Sequence, residues 1–305
     1  MTDYSKGAAF IGGQNVAIAD AKISLLDWGF LHSDATYDVA HVWQGKFFRI
    51  YDHIARFQAS MANLRMSLPY DRNQIRSIME ELVRLTKLHE AYVEIICTRG
   101  TPESGSRDPR SCTNNFFAFA IPFIWIATTE QRKRGLNLLI SRQQRISPES
   151  VDSRVKNYHW LDMVKALFEA YDQGADTAVV VDRQGNLVEG PGFNVFVCQG
   201  DRVITPIVGV LEGVTRRTVL ELLAQKSYRV YQSYLTTEVA KNADEVFITS
   251  TAGGIIPVTR IDGIKVADGA PGPITLELTE AYWALHERSD YTLEVDYQGS
   301  TKVRK

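Results

Sequence analysis

The sequence predicts an α+β protein built of two domains. Three observations carry that expectation. The 305 residues are about twice the usual domain size of roughly 150. Helical and strand-like apolar spacing alternate in an irregular order, which argues against a doubly wound parallel sheet. Hydrophobic residues at 45% and charged residues at 23% are ordinary globular values, sufficient to bury a core.

The elements follow in order. Ile54, Phe57, Met61 and Leu64 form one stripe of a helix over Asp52 to Met66. Ile75, Ile78, Met79, Leu82 and Leu85 do the same over Asp71 to His89. Ala91 to Thr98 and Asn115 to Ile121 read as strands, so the first half is a small α/β unit. Between them Gly100 to Asn114 is rich in Pro, Gly, Ser, Asp and Arg, and a loop of that length is usually functional or mobile. The expected boundaries are a first domain over 1–121, a connector over 122–133 and a second domain over 134–305.

In the second half, strand Leu136 to Gln143, helix Trp160 to Gln173 and strand Thr177 to Asp182 are expected. A turn at Arg183 to Asn186 and a hairpin of Asn194 to Cys198 with Val203 to Thr205 come next. Then come helix Thr215 to Lys226, strand Asp244 to Thr249 and an Asp262-Gly263 hairpin turn. Helix Ile274 to Glu287 follows Pro273, and the tail from Gln298 is expected to fray.

Charge and cysteine usage narrow the function classes. A net charge of −2 gives no bulk attraction to nucleic acid or anionic lipid. There is no apolar run of roughly 18 residues, the length a membrane helix needs. Met1 to Ile18 lacks the basic-then-apolar layout of a signal peptide. Cys97, Cys112 and Cys198 are widely separated and show no metal-ligand spacing. Structural thiols in a reducing compartment, a cytoplasmic location and no metal are the resulting expectations.

Four segments can carry chemistry, and each also has a plainer reading. Val155-Lys156-Asn157-Tyr158-His159-Trp160 places a lysine among aromatic and apolar neighbours, where partial desolvation favours a nucleophilic amine. A wet lysine head on a packed stem is the alternative. Glu189-Gly190-Pro191-Gly192-Phe193-Asn194 leads a carboxylate into a backbone path that lets another group approach; alternatively it is a tight connection. Leu211-Glu212-Gly213-Val214-Thr215-Arg216-Arg217 opens a helix whose free N–H groups and Thr hydroxyl suit an anion, or it is a simple N-cap. His53-Ile54-Ala55-Arg56-Phe57 offers an arginine to a phosphate, or a surface ion pair.

Taken together and in order, these segments resemble the fold type IV pyridoxal-phosphate-dependent aminotransferases, from about Asp20 to Tyr297, and most of all the (R)-selective amine transaminases. The resemblance also rests on Asp27-Trp28-Gly29-Phe30-Leu31-His32-Ser33-Asp34 with Tyr37, on Thr98-Arg99-Gly100, and on Trp160 with Asp162. Thr251-Ala252-Gly253-Gly254 and Asp268-Gly269 before Pro271-Gly272-Pro273 complete it. It implies a small N-terminal α/β domain, a larger β-barrel-like C-terminal domain with helices, and a homodimer.

The resemblance further implies roles. Lys156 would carry pyridoxal 5'-phosphate covalently and then move the α-proton. Glu189 would face the pyridine nitrogen and keep it protonated, so that the ring accepts electrons. Arg56, the Val214 and Thr215 amides, and the Ser250 and Thr251 hydroxyls would hold the phosphate. His32, Tyr37, Val39, Trp160 and Ala252 would line a largely apolar substrate pocket. Of the two loop arginines, Arg107 is favoured over Arg110 for the keto-acid carboxylate.

Two departures touch the details. Ser250 and Pro191 stand where a Thr and a small polar residue are common in the family. The expected reaction is (R)-selective transfer of an amino group from a primary amine to a keto acid such as pyruvate. A D-amino-acid or branched-chain aminotransferase and an aminodeoxychorismate-lyase-type enzyme are the alternatives, with a non-enzymatic binding module behind them. The loop lacks the Arg-x-His element of D-amino-acid relatives, and Lys156 is followed by Asn-Tyr-His-Trp instead of the Gly-rich segment of branched-chain relatives.

Overall fold

The computed structural model describes residues 3–299, and the end of the chain beyond them, part of the tail expected to fray, lies outside the described residues. The chain divides into two compact units. The first holds 3–124, Val155–Tyr158 and 286–299; the second holds Trp125–Arg154 and His159–Leu285. This corrects the sequential division at 121 and 133. The chain re-enters the first unit twice, because the strand Thr292–Glu294 pairs with Lys46–Phe48 and Asn157 bridges to Thr36.

In the first unit the order is β1 (Ala8–Ile11), β2 (Gln14–Ala17), α1 (Trp28–Leu31), β3 (Ala35–Trp43), β4 (Lys46–Phe48), α2 (Ile50–Asn63), α3 (Arg72–Thr86), β5 (Ala91–Thr101) and β6 (Thr113–Pro122). Its antiparallel sheet runs Thr292–Glu294, β4, β3, β5, β6, β1, β2. Only β5 and β6 are evident from spacing. β3 is buried at eight consecutive positions, so it shows no alternation to read.

The two helices begin and end within a few residues of expectation, and the start of α3 has a local reason. Asp71 accepts from the Gln74 amide at 2.8 Å, and Gln74 Oε1 accepts from the Asp71 amide at 2.8 Å, a capping box that starts α3. Ile54 and Phe57 of α2 and Met79 and Leu82 of α3 are fully enclosed in the core of this unit. Leu85, expected on the inner stripe, is 43% exposed, since it lies in the last turn of α3. Replacing Phe57 with Ala empties a fully buried site beside Phe116. The expected cost is about 3–5 kcal/mol, read as a lower urea midpoint at unchanged slope. A shift equivalent to less than about 1 kcal/mol would place Phe57 outside the packing that holds this unit.

The second unit is a mixed, nearly closed barrel-like sheet with helices. Its elements are α4 (Thr129–Arg134), β7 (Leu136–Gln144), α5 (Leu161–Asp172), β8 (Thr177–Val181), β9 (Asn186–Leu187), β10 (Glu189–Gly190), β11 (Phe193–Gln199) and β12 (Arg202–Pro206). They continue with α6 (Val214–Ala224), β13 (Arg229–Ser233), β14 (Leu235–Thr236), α7 (Thr237–Lys241), β15 (Glu245–Ser250), β16 (Gly254–Ile261), β17 (Ile264–Lys265) and α8 (Pro273–Ala284). The strand order is β13-β12-β11-β15-β16-β7-β8-β9-β14, with β10 on β11 and β17 on β16. Parallel pairs β12/β13, β7/β16 and β7/β8 sit among antiparallel ones, as an α+β fold permits.

The expected hairpins form. β11 pairs with β12, and β16 turns into β17 through Asp262 and Gly263, both at positive φ, as a two-residue turn of this kind requires. No helix of the described residues is long and apolar enough to cross a membrane. No cluster of His, Cys, Asp or Glu among them could hold a metal ion.

Candidate active site

In the first unit Lys156 is fixed by its own backbone. Its carbonyl accepts from the Tyr37 amide at 3.1 Å and from the Thr36 hydroxyl at 2.7 Å, and its amide donates to Ser60 Oγ at 3.3 Å. β3 and α2 therefore hold the residue from two directions. The side chain is half-buried, with Nζ 4.1 Å from the centre of the Tyr37 ring. That ring stacks on Tyr158 at 4.3 Å, and the Tyr158 hydroxyl donates to Glu94 Oε1 at 2.6 Å. Tyr92 donates to the other Glu94 oxygen at 3.3 Å.

Burial pushes the Glu94 carboxyl up, and the Tyr158 and Tyr92 hydrogen bonds and the Lys156 charge offset this only in part. Burial, then the neighbouring Glu94 charge, raises the Tyr158 phenol, so it remains a donor at neutral pH. The chain thus places an amine on an aromatic face, with a carboxylate behind the aromatic pair.

Arg56 and Val39 meet the same acid on β3, the first through its guanidinium and the second through its backbone amide. Asp38, between Tyr37 and Val39 on β3, is fully buried. It accepts from Arg56 Nε at 2.7 Å, Arg56 Nη2 at 2.9 Å, His53 Nδ1 at 2.8 Å and the Val39 amide at 2.8 Å. Burial alone would raise the Asp38 carboxyl, but Arg56 and His53 outweigh it and hold it well below the usual range. His32, expected at the pocket, is exposed at the end of α1 with its ring edge-on to Trp28 at 4.7 Å. Arg107 and Arg110 are both exposed in the loop before β6. Arg110 is forked onto Asp108, whereas Arg107 makes no ion pair with a described residue.

The second unit assembles the remaining candidates. Glu189 is 4% exposed on β10; Oε1 accepts from Arg145 Nε at 3.2 Å and Oε2 from the Leu211 amide at 2.8 Å. Arg145 also donates to Asp162 Oδ2 at 2.8 Å. Burial would lower the guanidinium, but the Glu189 and Asp162 charges hold it above its ordinary value.

Gly213 caps α6 without a side-chain acceptor, and a Cβ there would meet Asn194 Oδ1 at 2.3 Å. The cap must stay glycine for Asn194 to reach the Leu211 carbonyl at 2.9 Å. The first turn of α6, with Val214 and Thr215, therefore presents its backbone donors with no built-in partner from the cap. Neither the Thr215 nor the Thr251 hydroxyl hydrogen-bonds another described residue. Ser250 differs from expectation: its hydroxyl donates to the Gly192 carbonyl at 2.8 Å and accepts from the Ala252 amide, so its proton serves the turn. Ala252 is tied to Ile126, and Trp160 caps α5 with its ring 3.6 Å from where a Gly192 Cβ would stand.

Residues 35–261 match the family model described as amino-transferase class IV. The chain is 31% identical over 276 residues to a putative branched-chain-amino-acid aminotransferase of Methanocaldococcus jannaschii, covering 90% of this chain and 94% of that one. The chain is a class IV aminotransferase. The enzyme is also 29% identical to the D-alanine aminotransferase of Listeria monocytogenes, over 86% of this chain and 90% of that protein. The solved structure of the Escherichia coli branched-chain amino acid aminotransferase shares the fold, with a TM-score of 0.90 at 23% identity, covering 97% of this chain and 100% of that one. The aminotransferase is a pyridoxal-phosphate-dependent transaminase.

Sequence reasoning passes over Asp38, Glu94 and Arg145. Asp38 and Glu94 have a legible signal, since each is an acid inside an otherwise apolar strand run, where a charge must be paired. Arg145 has none: its partner Glu189 lies 44 positions away, and only the fold brings them together.

Proposed function

We propose that this aminotransferase transfers the amino group of a primary amine, with preference for the R enantiomer, to a keto acid such as pyruvate. Lys156 would carry the cofactor, Glu189 would face its ring nitrogen, and Arg56, the start of α6 and the Thr215 and Thr251 hydroxyls would hold its phosphate. The donor set suits such a group: a half-buried amine, a buried carboxylate, and a glycine-capped helix start with hydroxyls that bond no other described residue. When bound, the cofactor supplies an electron sink for the bonds at the amino-bearing carbon. Lys156 Nζ would take and return the proton there. Arg145 orients Glu189, and the Leu211 amide fixes its second oxygen. Tyr37 and Tyr158 keep the Lys156 amine against an apolar wall.

One observation carries the amine reading. The buried acid of Glu94 closes the stacked tyrosine pair beside Lys156, so the wall next to the amine is aromatic and acidic and offers a donor carboxylate no cationic partner. The ordered motifs from Asp27 to Pro273 support the R preference. The names of the relatives support a second reading, a branched-chain or D-amino-acid aminotransferase.

Incubation with pyruvate and each enantiomer of 1-phenylethylamine separates these readings. Ketone from the R form alone is the expected result; turnover of only D-alanine or leucine rejects it in favour of the second reading. Pyruvate released from aminodeoxychorismate would indicate a lyase instead.

Arg107 pairs with the acceptor carboxylate in this proposal, as the loop arginine that Asp108 does not occupy. Arg107→Ala then raises KM for pyruvate about tenfold, the size of one charge-assisted hydrogen bond, and leaves KM for the amine unchanged. An equal rise for both substrates would remove Arg107 from acceptor recognition. The homodimer belongs to the same proposal, supported by the exposed apolar side chains Leu25, Leu26, Phe30 and Leu31. Light scattering giving a single-chain mass at assay concentration would reject it.

A further inference from the structure

A fully buried aspartate at the centre of the first unit asks for an explanation, because an enclosed carboxylate is costly unless its partners serve a purpose beyond stability. Asp38 receives four donors. Three come from two side chains one helical turn apart on α2, His53 and Arg56; the fourth is the neighbouring Val39 amide. The carboxylate is closed to solvent, whereas the Arg56 side chain is 14% exposed. Burial lowers the proton affinity of His53 against the pull of Asp38. The neutral ring then gives its Nδ1–H to the ionised acid, which is the tautomer the 2.8 Å contact requires.

We infer that Asp38 and His53 are positioning residues that hold the Arg56 guanidinium in one orientation toward the cofactor phosphate. Arginine has a long flexible stem, and a single contact would leave its planar head free to turn. Here Nε and Nη2 are both anchored on Asp38, so the head cannot rotate without breaking both bonds. His53 in turn stops the carboxylate from pivoting. Because the Asp38–Arg56 pair has no net charge, Arg56 offers the phosphate a directed donor and little long-range attraction.

The inference rests on the proposed role of Arg56, and the test keeps the two apart. Cofactor-stripped protein is titrated with pyridoxal 5'-phosphate and with pyridoxal, which lacks the phosphate, and the ratio of the two dissociation constants is compared between variants. His53→Leu lowers the preference for the phosphorylated form about tenfold and leaves pyridoxal affinity unchanged. His53→Asn, whose amide can replace the Nδ1–H donor, keeps the preference within about twofold of the original. Asp38→Asn lowers it at least as far as His53→Leu. If that variant does not fold, the His53 pair still decides the matter.

Loss of both affinities alike in His53→Leu, or of neither, overturns the inference, since a merely structural role would not single out the phosphate. Arg56→Met, which keeps a long stem but has neither charge nor donor, supplies the separating arm. If it lowers the ratio while His53→Leu does not, only the positioning role falls. If it leaves the ratio intact, Arg56 does not hold the phosphate and both statements fall.

Discussion

Lys156→Ala is expected to lose more than about 10⁴ of the transamination rate, because proton transfer by a placed group is worth roughly 10²–10⁴ and covalent capture of the cofactor is lost as well. Borohydride treatment of the unaltered holoenzyme should fix the cofactor to the peptide containing Lys156 and to no other. Lys156→Arg keeps the positive charge over Tyr37 and still fails, since a guanidinium remains protonated and is a poor nucleophile.

Stability separates a chemical loss from an unfolding one. The contacts that hold this residue are made by its carbonyl and amide, to Tyr37, Thr36 and Ser60, and truncation leaves them intact. What disappears is the amine–ring contact, worth roughly 0.5–2 kcal/mol, and the attraction between the amine and Glu94. A Lys156→Ala protein that keeps its melting curve but turns over at more than a hundredth of the original rate would remove Lys156 from the chemistry.

Glu189→Gln is expected to lower kcat by about 10²–10³, the usual cost of removing one preorganised electrostatic partner. The substitution is nearly isosteric, but an amide cannot hold a proton on a ring nitrogen as a carboxylate does. It also presents an N–H where Glu189 now accepts from either Arg145 Nε or the Leu211 amide, so one of those bonds is lost. The absorbance of the bound cofactor reports on the ring, and its visible band should shift in Glu189→Gln. Asp162→Asn is the control: it weakens the anchoring of Arg145 without touching Glu189. A rate loss in Asp162→Asn equal to that in Glu189→Gln, with no spectral change in either, would mean that the carboxylate serves only to fill its place in β10.

The unevenness of what could be read in advance has a physical pattern. The amphipathic helices α2, α3, α5 and α6 were legible because each has one face in a core and one in water, which writes a period into the chain. β3 was not, since burial on both sides erases alternation, and neither was its alignment with β5. The candidate residues that are reactive or anion-binding by type stand out in short motifs: Lys156, Glu189, Arg56 and the Gly213-Val214-Thr215 helix start. Asp38 and Glu94 show in the sequence only as acids within apolar strand runs and Arg145 not at all; what each of them holds depends on partners remote in sequence, at separations of 18, 64 and 44 positions for the bonds Arg56–Asp38, Tyr158–Glu94 and Arg145–Glu189.

The sequence by itself therefore determined the class of chemistry and the two-part α+β architecture, since motif identity and helical periodicity are local properties. Tertiary structure alone decided that the chain returns to its first unit at Val155–Tyr158 and again after His286, that Asp38 is enclosed behind Arg56, and that Ser250 spends its proton on Gly192. Each of those depends on strand pairing or hydrogen bonding between distant segments, and no local pattern encodes which distant group will arrive.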